Sequence, residues 1–391
     1  MEWLPPRLTD RALLATLAAI LTPNPSPAAL AQLRQRLYGA EFNWPALVPF
    51  AAGQDLLPPL IWALQTQHLL LPVPKGLDPA RRAGFITTRL QDAYDTYQGH
   101  RRDLRGQLRA CIGALNAAGI TPLALKGGRY LLDAGSGWSS ARPMRDVDLL
   151  IQPEQAPAAI AALTGIGFVA DAPTGLQSHH LPELRLAGHI GAVELHTEAL
   201  APAGRRFMST DFVFQQAVPL TTEAGTALVL PPAWQALHAM LHHQASDDGY
   251  NQRILALKPL WEFICLTGSV SDADWQALAA HMAAENGLDL LTSWCLQAEA
   301  VFNEPVPPGL AISAAARAQA ANCLTEAAQP ESLRRVRFLW RQLQRGFSAE
   351  MLAIRYRVPA SAVGLTLRLR HLWFLLRRYR GHMRLRLLGQ R

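Results

Sequence analysis

Arg142-Pro-Met-Arg-Asp-Val-Asp-Leu-Leu-Ile151 is the most informative stretch of this 391-residue chain. Val147 and the apolar run 149–151 predict a β-strand, in which side chains alternate between the two faces. Asp146 and Asp148 would then lie on one face, at the start of the strand. Two carboxylates on one face repel each other unless a cation lies between them. Mg²⁺ favours carboxylate oxygens together with substrate phosphates, so the stretch predicts a divalent-cation site.

A second informative stretch, Leu123-Ala-Leu-Lys-Gly-Gly128, lies about twenty residues upstream. It is typical of a short apolar strand that ends in a turn. Gly127 and Gly128 would let backbone N–H groups approach phosphate oxygens, and the start of the following helix favours anions. Lys126, one of only three lysines in the chain, could add a positive charge. A phosphate-binding turn followed by a metal site indicates phosphoryl or nucleotidyl transfer.

The composition indicates a folded globular protein of two or three domains. Half of the residues are hydrophobic and 17% are charged, which is unlike a disordered chain. The four cysteines form no C-x-x-C pair, and we interpret them as free thiols of a reducing cytoplasm. No signal peptide and no apolar stretch of about 18 residues is evident. We therefore expect a cytoplasmic location, with peripheral association at the inner membrane surface as a further option.

The charge is distributed unevenly along the chain. Residues 334–391 contain 15 arginines and one acidic residue, a net charge of +14, which leaves −7 for the rest of the chain. In the stretch 365–388, Leu, Trp and Phe alternate with arginine, which predicts a basic amphipathic helix. Three interpretations stay open: a final helix packed on the body, a membrane-surface helix, or a nucleic-acid contact.

The pattern along the chain predicts an α+β fold, with a small mixed-sheet core flanked by N-terminal and C-terminal helical regions. Apolar residues at three-to-four spacing predict a long helix over 81–118, ended by Gly119. Short strands are expected at 121–125, 147–151 and 192–196, and helices return after Pro231-Pro232. We divide the chain into an N-terminal helical region (1–110), an α/β core (111–228), a C-terminal helical domain (229–345) and a basic amphipathic tail (346–391).

Four elements in chain order resemble a bacterial branch of the polymerase-beta-like nucleotidyltransferase superfamily, usually described only as uncharacterised nucleotidyltransferases. They are Leu125-Lys-Gly127, Arg142, Asp146-Val-Asp-Leu-Leu-Ile151 and Glu194-Leu-His196. The resemblance covers residues 105–265. A lone Asp-x-Asp is a weak signal, whereas the ordered set of four elements is fairly specific.

The resemblance implies an enzyme that uses Mg²⁺ or Mn²⁺ to move NMP from an NTP to a hydroxyl acceptor, which could be a small molecule, a protein or RNA. The residues implied as both catalytic and metal-binding are Asp146, Asp148 and Glu194. Those implied as nucleotide-binding are Lys126, Gly127, Gly128 and Arg142. Arg145 could also stabilise charge on the transferring phosphorus. The alternative is a non-catalytic nucleotide-binding or scaffold protein that docks through its basic tail to membrane, RNA or a partner.

The histidines are open to interpretation. His196 would share a strand face with Glu194, where it could orient that carboxylate or simply pack in the core. The pair His179-His180 falls where the resembled branch often carries histidines, but we interpret it as loop. His238 and His242 share a helix face with no carboxylate triad partner evident, so we favour core or surface placement over a metal site.

Overall fold

The computed structural model describes residues 11–39, 42–69, 89–132, 137–171, 181–356 and 358–374. The pair His179-His180 and the last part of the predicted tail, 375–391, lie outside the described residues. The chain forms two compact units, 1–328 and 329–391.

The larger unit is built around one mixed sheet of seven strands in the order β3-β4-β5-β2-β1-β7-β6. The strands are β1 (Leu123–Ala124), β2 (Asp146–Leu150), β3 (Phe168–Ala170), β4 (Leu184–Leu186), β5 (Ala192–His196), β6 (Val218–Thr222) and β7 (Gly225–Val229). Among these, β2 and β5 are parallel neighbours at the centre of the sheet. The strands predicted at 121–125, 147–151 and 192–196 are therefore present, the first as a two-residue strand.

A long helix, α5, covers one face of the sheet. It spans Arg89–Ala117 and is followed by Gly119 with a φ of +74°, the left-handed conformation typical of a residue just after a helix. Its buried residues share a core with Val147 and Leu149 of β2. Because side chains alternate along a strand, this packing leaves the acidic residues of β2 on the opposite face.

Helices precede and follow the sheet, which confirms the predicted α+β class. The N-terminal helices share a second core with the helices that follow the sheet, in which Trp261 and Trp294 are fully buried. The bounds of the helices are α1 Arg11–Leu21, α2 Pro27–Tyr38, α3 Trp44–Gly53, α4 Leu57–Thr66, α6 Gly128–Leu132, α7 Ala156–Gly165, α8 Pro202–Arg205, α9 Thr210–Gln216, α10 Pro232–Leu241, α11 Gly249–Gln252, α12 Leu257–Thr267, α13 Asp272–Ala284, α14 Leu288–Phe302 and α15 Ala314–Ala327.

The smaller unit is helical. It contains α16 (Glu331–Gly346), α17 (Ala349–Tyr356), a 3₁₀ turn at Ala360–Ala362 and a helix at 365–374. Within the part of the chain that the structure describes, no helix is both long enough and apolar enough to cross a bilayer.

Candidate active site

The parallel pairing of β2 with β5 brings acidic side chains of two strands together. In this register Asp148 lies opposite Glu194, and Leu150 lies opposite His196. One ligand atom from each of Asp148, Glu194 and His196 lies within 4.8 Å of the other two. Asp148 and His196 are almost completely buried. These three residues are called the Asp-Glu-His cluster below.

Within the cluster, the imidazole lies between the two carboxylates. Nε2 of His196 is 2.9 Å from Oδ1 of Asp148 and 3.4 Å from Oε2 of Glu194. Both contacts raise the pKa of His196 and outweigh the opposing effect of its burial. The ring is therefore held by one carboxylate of its own strand, Glu194, and one of the neighbouring strand β2, Asp148.

Lys126 reaches the same carboxylate from the turn after β1. Its Nζ lies 2.7 Å from Oδ1 of Asp148, and its backbone has a φ of +45°, which is uncommon for a residue other than glycine. Burial alone would lower the pKa of Lys126, but the charges of Asp148, Asp146 and Glu194 raise it. The ammonium therefore stays protonated beside the carboxylates.

Asp146 and Asp148 occupy different electrostatic environments. Burial and then the negative charge of Asp148 raise the pKa of Asp146, and Glu194 adds to this effect. Burial would also raise the pKa of Asp148, yet Lys126 and His196 lower it well below its usual value. Asp148 is thus an anion, whereas the negative charge around Asp146 is only partly compensated by Lys126 and Arg142, and a bound cation would compensate it further.

The donor atoms of the cluster suit a divalent cation. Mg²⁺ prefers oxygen ligands, and Mn²⁺ also binds carboxylate oxygen. Imidazole is a common metal ligand through Nε2, so His196 can join Asp148 and Glu194 in holding an ion. Asp146 is coupled to this cluster by charge but is not one of its three closely spaced members. The chemistry of these side chains therefore fits the implied metal.

The sequence placed Asp148 and Glu194 in one candidate site, whereas His196 was expected only to orient Glu194 or to pack in the core. Period-two alternation along Glu194-Leu-His196 placed both polar residues on one face, and that signal was available from the sequence. The register of β5 against β2, which sets His196 beside Asp148, depends on long-range pairing.

The two glycines of the turn lie in close packing, which leaves little room for a side chain at either position. A Cβ on Gly127 would lie 2.4 Å from Nη1 of Arg142 and 2.6 Å from Sδ of Met144. A Cβ on Gly128 would lie 3.3 Å from the backbone oxygen of Asp148. Gly128 begins α6, which is only five residues long. The turn is thus pressed against β2 and against the residues that precede it.

Arg142 forms a buried ion pair with a helix far along the chain. Its Nη2 lies 3.1 Å from Oε2 of Glu262 on α12, and both side chains are about nine-tenths buried. Nζ of Lys258 is 3.9 Å from the other oxygen of Glu262. The hydroxyl of Tyr97 donates to the backbone carbonyl of Arg142. One nitrogen of the Arg142 guanidinium, Nη2, is therefore already paired with Glu262.

Arg145 and the helical histidines lie in other surroundings. Arg145 is exposed and pairs with Asp55 at 3.1 Å. His238 is buried with Nε2 3.0 Å from the carbonyl oxygen of Ala199, and burial lowers its pKa to about 3. His242 lies 3.2 Å from Asp247. Neither histidine belongs to the Asp-Glu-His cluster.

The sequence profile of a family described as uncharacterised nucleotidyltransferase matches residues 40–303, about two thirds of the chain. No curated protein and no solved structure matches the chain.

Proposed function

Because the chain belongs to the uncharacterised nucleotidyltransferase family, we propose that it is an enzyme that moves NMP from an NTP to a hydroxyl acceptor. The acceptor oxygen forms a bond to the α-phosphorus while the bond from that phosphorus to the bridging oxygen breaks. Pyrophosphate leaves, and the hydroxyl proton passes to a base at the site. The observation that carries the proposal is the Asp-Glu-His cluster, in which two parallel strands direct carboxylates and an imidazole to one point.

We assign the metal role to this cluster together with Asp146. Asp148 and Glu194 would hold Mg²⁺ or Mn²⁺, His196 would be a further ligand, and Asp146 would contribute its carboxylate from the start of β2. When bound, the metal would neutralise phosphate oxygens and lower the pKa of the attacking hydroxyl. Glu194 is the most exposed member of the cluster, which suits it to accept the proton of the acceptor.

The turn after β1 is the proposed nucleotide contact. Lys126, Gly127 and Gly128 adjoin β2, and the ammonium of Lys126 lies beside the carboxylates where a triphosphate would have to approach. Arg142 stays in the proposed nucleotide-binding set because its Nη1 lies against Gly127. Because Nη2 is paired with Glu262, a contact with the nucleotide would be made through Nη1, beside the turn.

The proposal is tested by incubating the protein with each NTP, a divalent ion and candidate acceptors, and measuring pyrophosphate. Asp148→Asn and Glu194→Gln should each reduce turnover by more than the roughly 10- to 100-fold typical of residues that only support a metal ligand. Asp171→Asn is the matched control, because among the described residues this carboxylate pairs only with Arg185, in an exposed contact. Pyrophosphate release that is equal in wild type and in both site variants would refute the assignment.

A second candidate function is binding of a nucleotide without catalysis, in a scaffold protein that docks through its basic tail. The contact of 2.7 Å between Lys126 and Asp148 favours it, because this contact compensates the buried carboxylate without a metal. NTP binding that needs no divalent ion, together with no pyrophosphate over many acceptors, would support this candidate. Metal-dependent pyrophosphate release would exclude it.

We also propose that the chain is a bacterial, cytoplasmic member of the polymerase-beta-like superfamily. Support for the superfamily comes from the carboxylates of Asp148 and Glu194, which lie on neighbouring parallel strands next to a Lys-Gly-Gly turn. The division into regions 1–110, 111–228, 229–345 and 346–391 is likewise a proposal.

A further inference from the structure

The helix α16 turns its apolar side outward. Five large apolar residues, which recur at three-to-four spacing, are at least two-fifths exposed: Leu333, Val336, Leu339, Trp340 and Leu343. The arginine-rich side of the same helix is less exposed, and Arg334 is buried. A helix that packs on its own protein usually buries the apolar stripe and exposes the charges. In α16 this order is reversed.

The helix at 365–374 also has an exposed apolar side. Its exposed large apolar residues are Leu365, Leu369, Leu372 and Trp373, again at helical spacing. Arg370 is exposed as well, whereas His371 is buried. Of the thirteen large apolar side chains that are exposed among the described residues, nine lie on these two helices. The two stripes are called the apolar surface of the smaller unit below.

This apolar surface belongs to the most basic part of the chain. From Arg334 to Arg391 there are 15 arginines and a single acidic residue. Arg335, next to the stripe of α16, has a side chain that is 67% exposed. The smaller unit therefore combines outward leucine and tryptophan side chains with a dense positive charge.

We propose that the apolar surface docks on a bilayer that contains anionic lipids. The acyl boundary receives the leucine and valine stripes, and the anionic headgroups neutralise the arginines. Trp340 and Trp373 suit the boundary between the two, because an indole is apolar with one polar N–H. A second copy of the chain would add another strongly positive surface and be repelled. RNA would neutralise the arginines but would leave the aliphatic stripes exposed.

The test uses the full-length protein and sedimentation with vesicles of phosphatidylcholine, alone or mixed with phosphatidylglycerol. Wild-type protein should bind the mixed vesicles, bind neutral ones weakly, and dissociate at high salt. The variant Leu339→Ser with Trp340→Ser should bind at least tenfold more weakly. Val169→Ser with Ile190→Ser is the matched control, because it removes apolar side chains that are at least as exposed from the larger unit and should leave binding unchanged.

A second measurement uses wild-type protein alone, so that its result does not depend on the folding of the serine variant. Brominated acyl chains should quench part of the tryptophan fluorescence of the wild-type protein in mixed vesicles. The proposal is overturned if wild-type protein stays in the supernatant with both vesicles, or if the serine variant is folded and binds normally. It is also overturned if the surface instead binds RNA, or if a dimer that the serine variant dissociates forms without vesicle binding. None of these outcomes bears on pyrophosphate release.

Discussion

The buried pair between Arg142 and Glu262 allows an asymmetric prediction about stability. Removing one member of a buried ion pair leaves the other charge uncompensated, which typically costs about 3–5 kcal/mol. Glu262 has two cationic neighbours, at 3.1 Å for Arg142 and 3.9 Å for Lys258. Glu262→Gln would leave both cations without their shared anion. Arg142→Met would leave Glu262 with Lys258 still nearby.

We therefore expect Glu262→Gln to lower the free energy of unfolding by about 4 kcal/mol, near the middle of the range for a broken buried pair. Arg142→Met should cost about half of that, because Lys258 still compensates part of the carboxylate charge. The double variant Arg142→Met with Glu262→Met should recover much of the loss. Two apolar side chains of similar volume remove both charges of the pair. The recovery should be incomplete, because Lys258 also loses Glu262 as its partner.

Urea unfolding followed by tryptophan fluorescence is a suitable assay. Trp261 precedes Glu262 in the chain, and its ring lies 5.7 Å from that of Trp138, so emission reports on this part of the fold. The midpoint and the slope of the transition should be compared among the four proteins, because an altered slope would indicate a changed unfolded or native state. Arg185→Met is the control, because the pairs that Arg185 forms with Asp171 and Glu183 are exposed, and it should leave the midpoint of the transition unchanged.

A loss of stability in Arg142→Met at least as large as that in Glu262→Gln would contradict the expected asymmetry. Single variants that both stay within about 1 kcal/mol of wild type, the range of exposed ion pairs, would contradict it as well. Either result would mean that water or another group compensates the charges at this position.

Three further predictions concern the turn, the buried histidine and the metal site. Gly127→Ala should cost about 1–3 kcal/mol, because its methyl group would overlap the guanidinium behind the turn. Gly106→Ala, with open space around it, should instead gain about 0.5–1 kcal/mol in the same urea assay. Burial lowers the pKa of His238 from 6.5 to about 3, so the unfolded chain binds its proton first as the pH falls. The free energy of unfolding should therefore drop below pH 6.5 by up to about 1.4 kcal/mol per pH unit, continuing towards pH 3, and His238→Gln should flatten this slope. Lys126→Met removes the ammonium beside Asp148, so Mn²⁺ should bind at least about tenfold more tightly by calorimetry. An unchanged or weaker Mn²⁺ affinity would show that the ion binds away from this carboxylate.

Local patterns in the sequence were enough to predict the α+β class and the strand that carries Asp146 and Asp148. The alternation that places Val147 and Leu149 in the core also predicted that the carboxylates share the other face, and β2 packs in this way. The long helix was predicted over 81–118, and the described part spans Arg89–Ala117. These features follow from repeats of two or about 3.6 residues, which neighbouring residues in the chain define by themselves.

Tertiary structure decided how the site is assembled. The pairing of β2 with β5 set Asp148 opposite Glu194 and brought His196 to the same carboxylate. The ion pair of Arg142 joins residues 120 positions apart. The local periodicity of the sequence does not determine these contacts. Strand register and long-range charge pairing depend on the packing of the whole core. The sequence by itself thus determined which residues could share a face, and only the fold determined which faces meet.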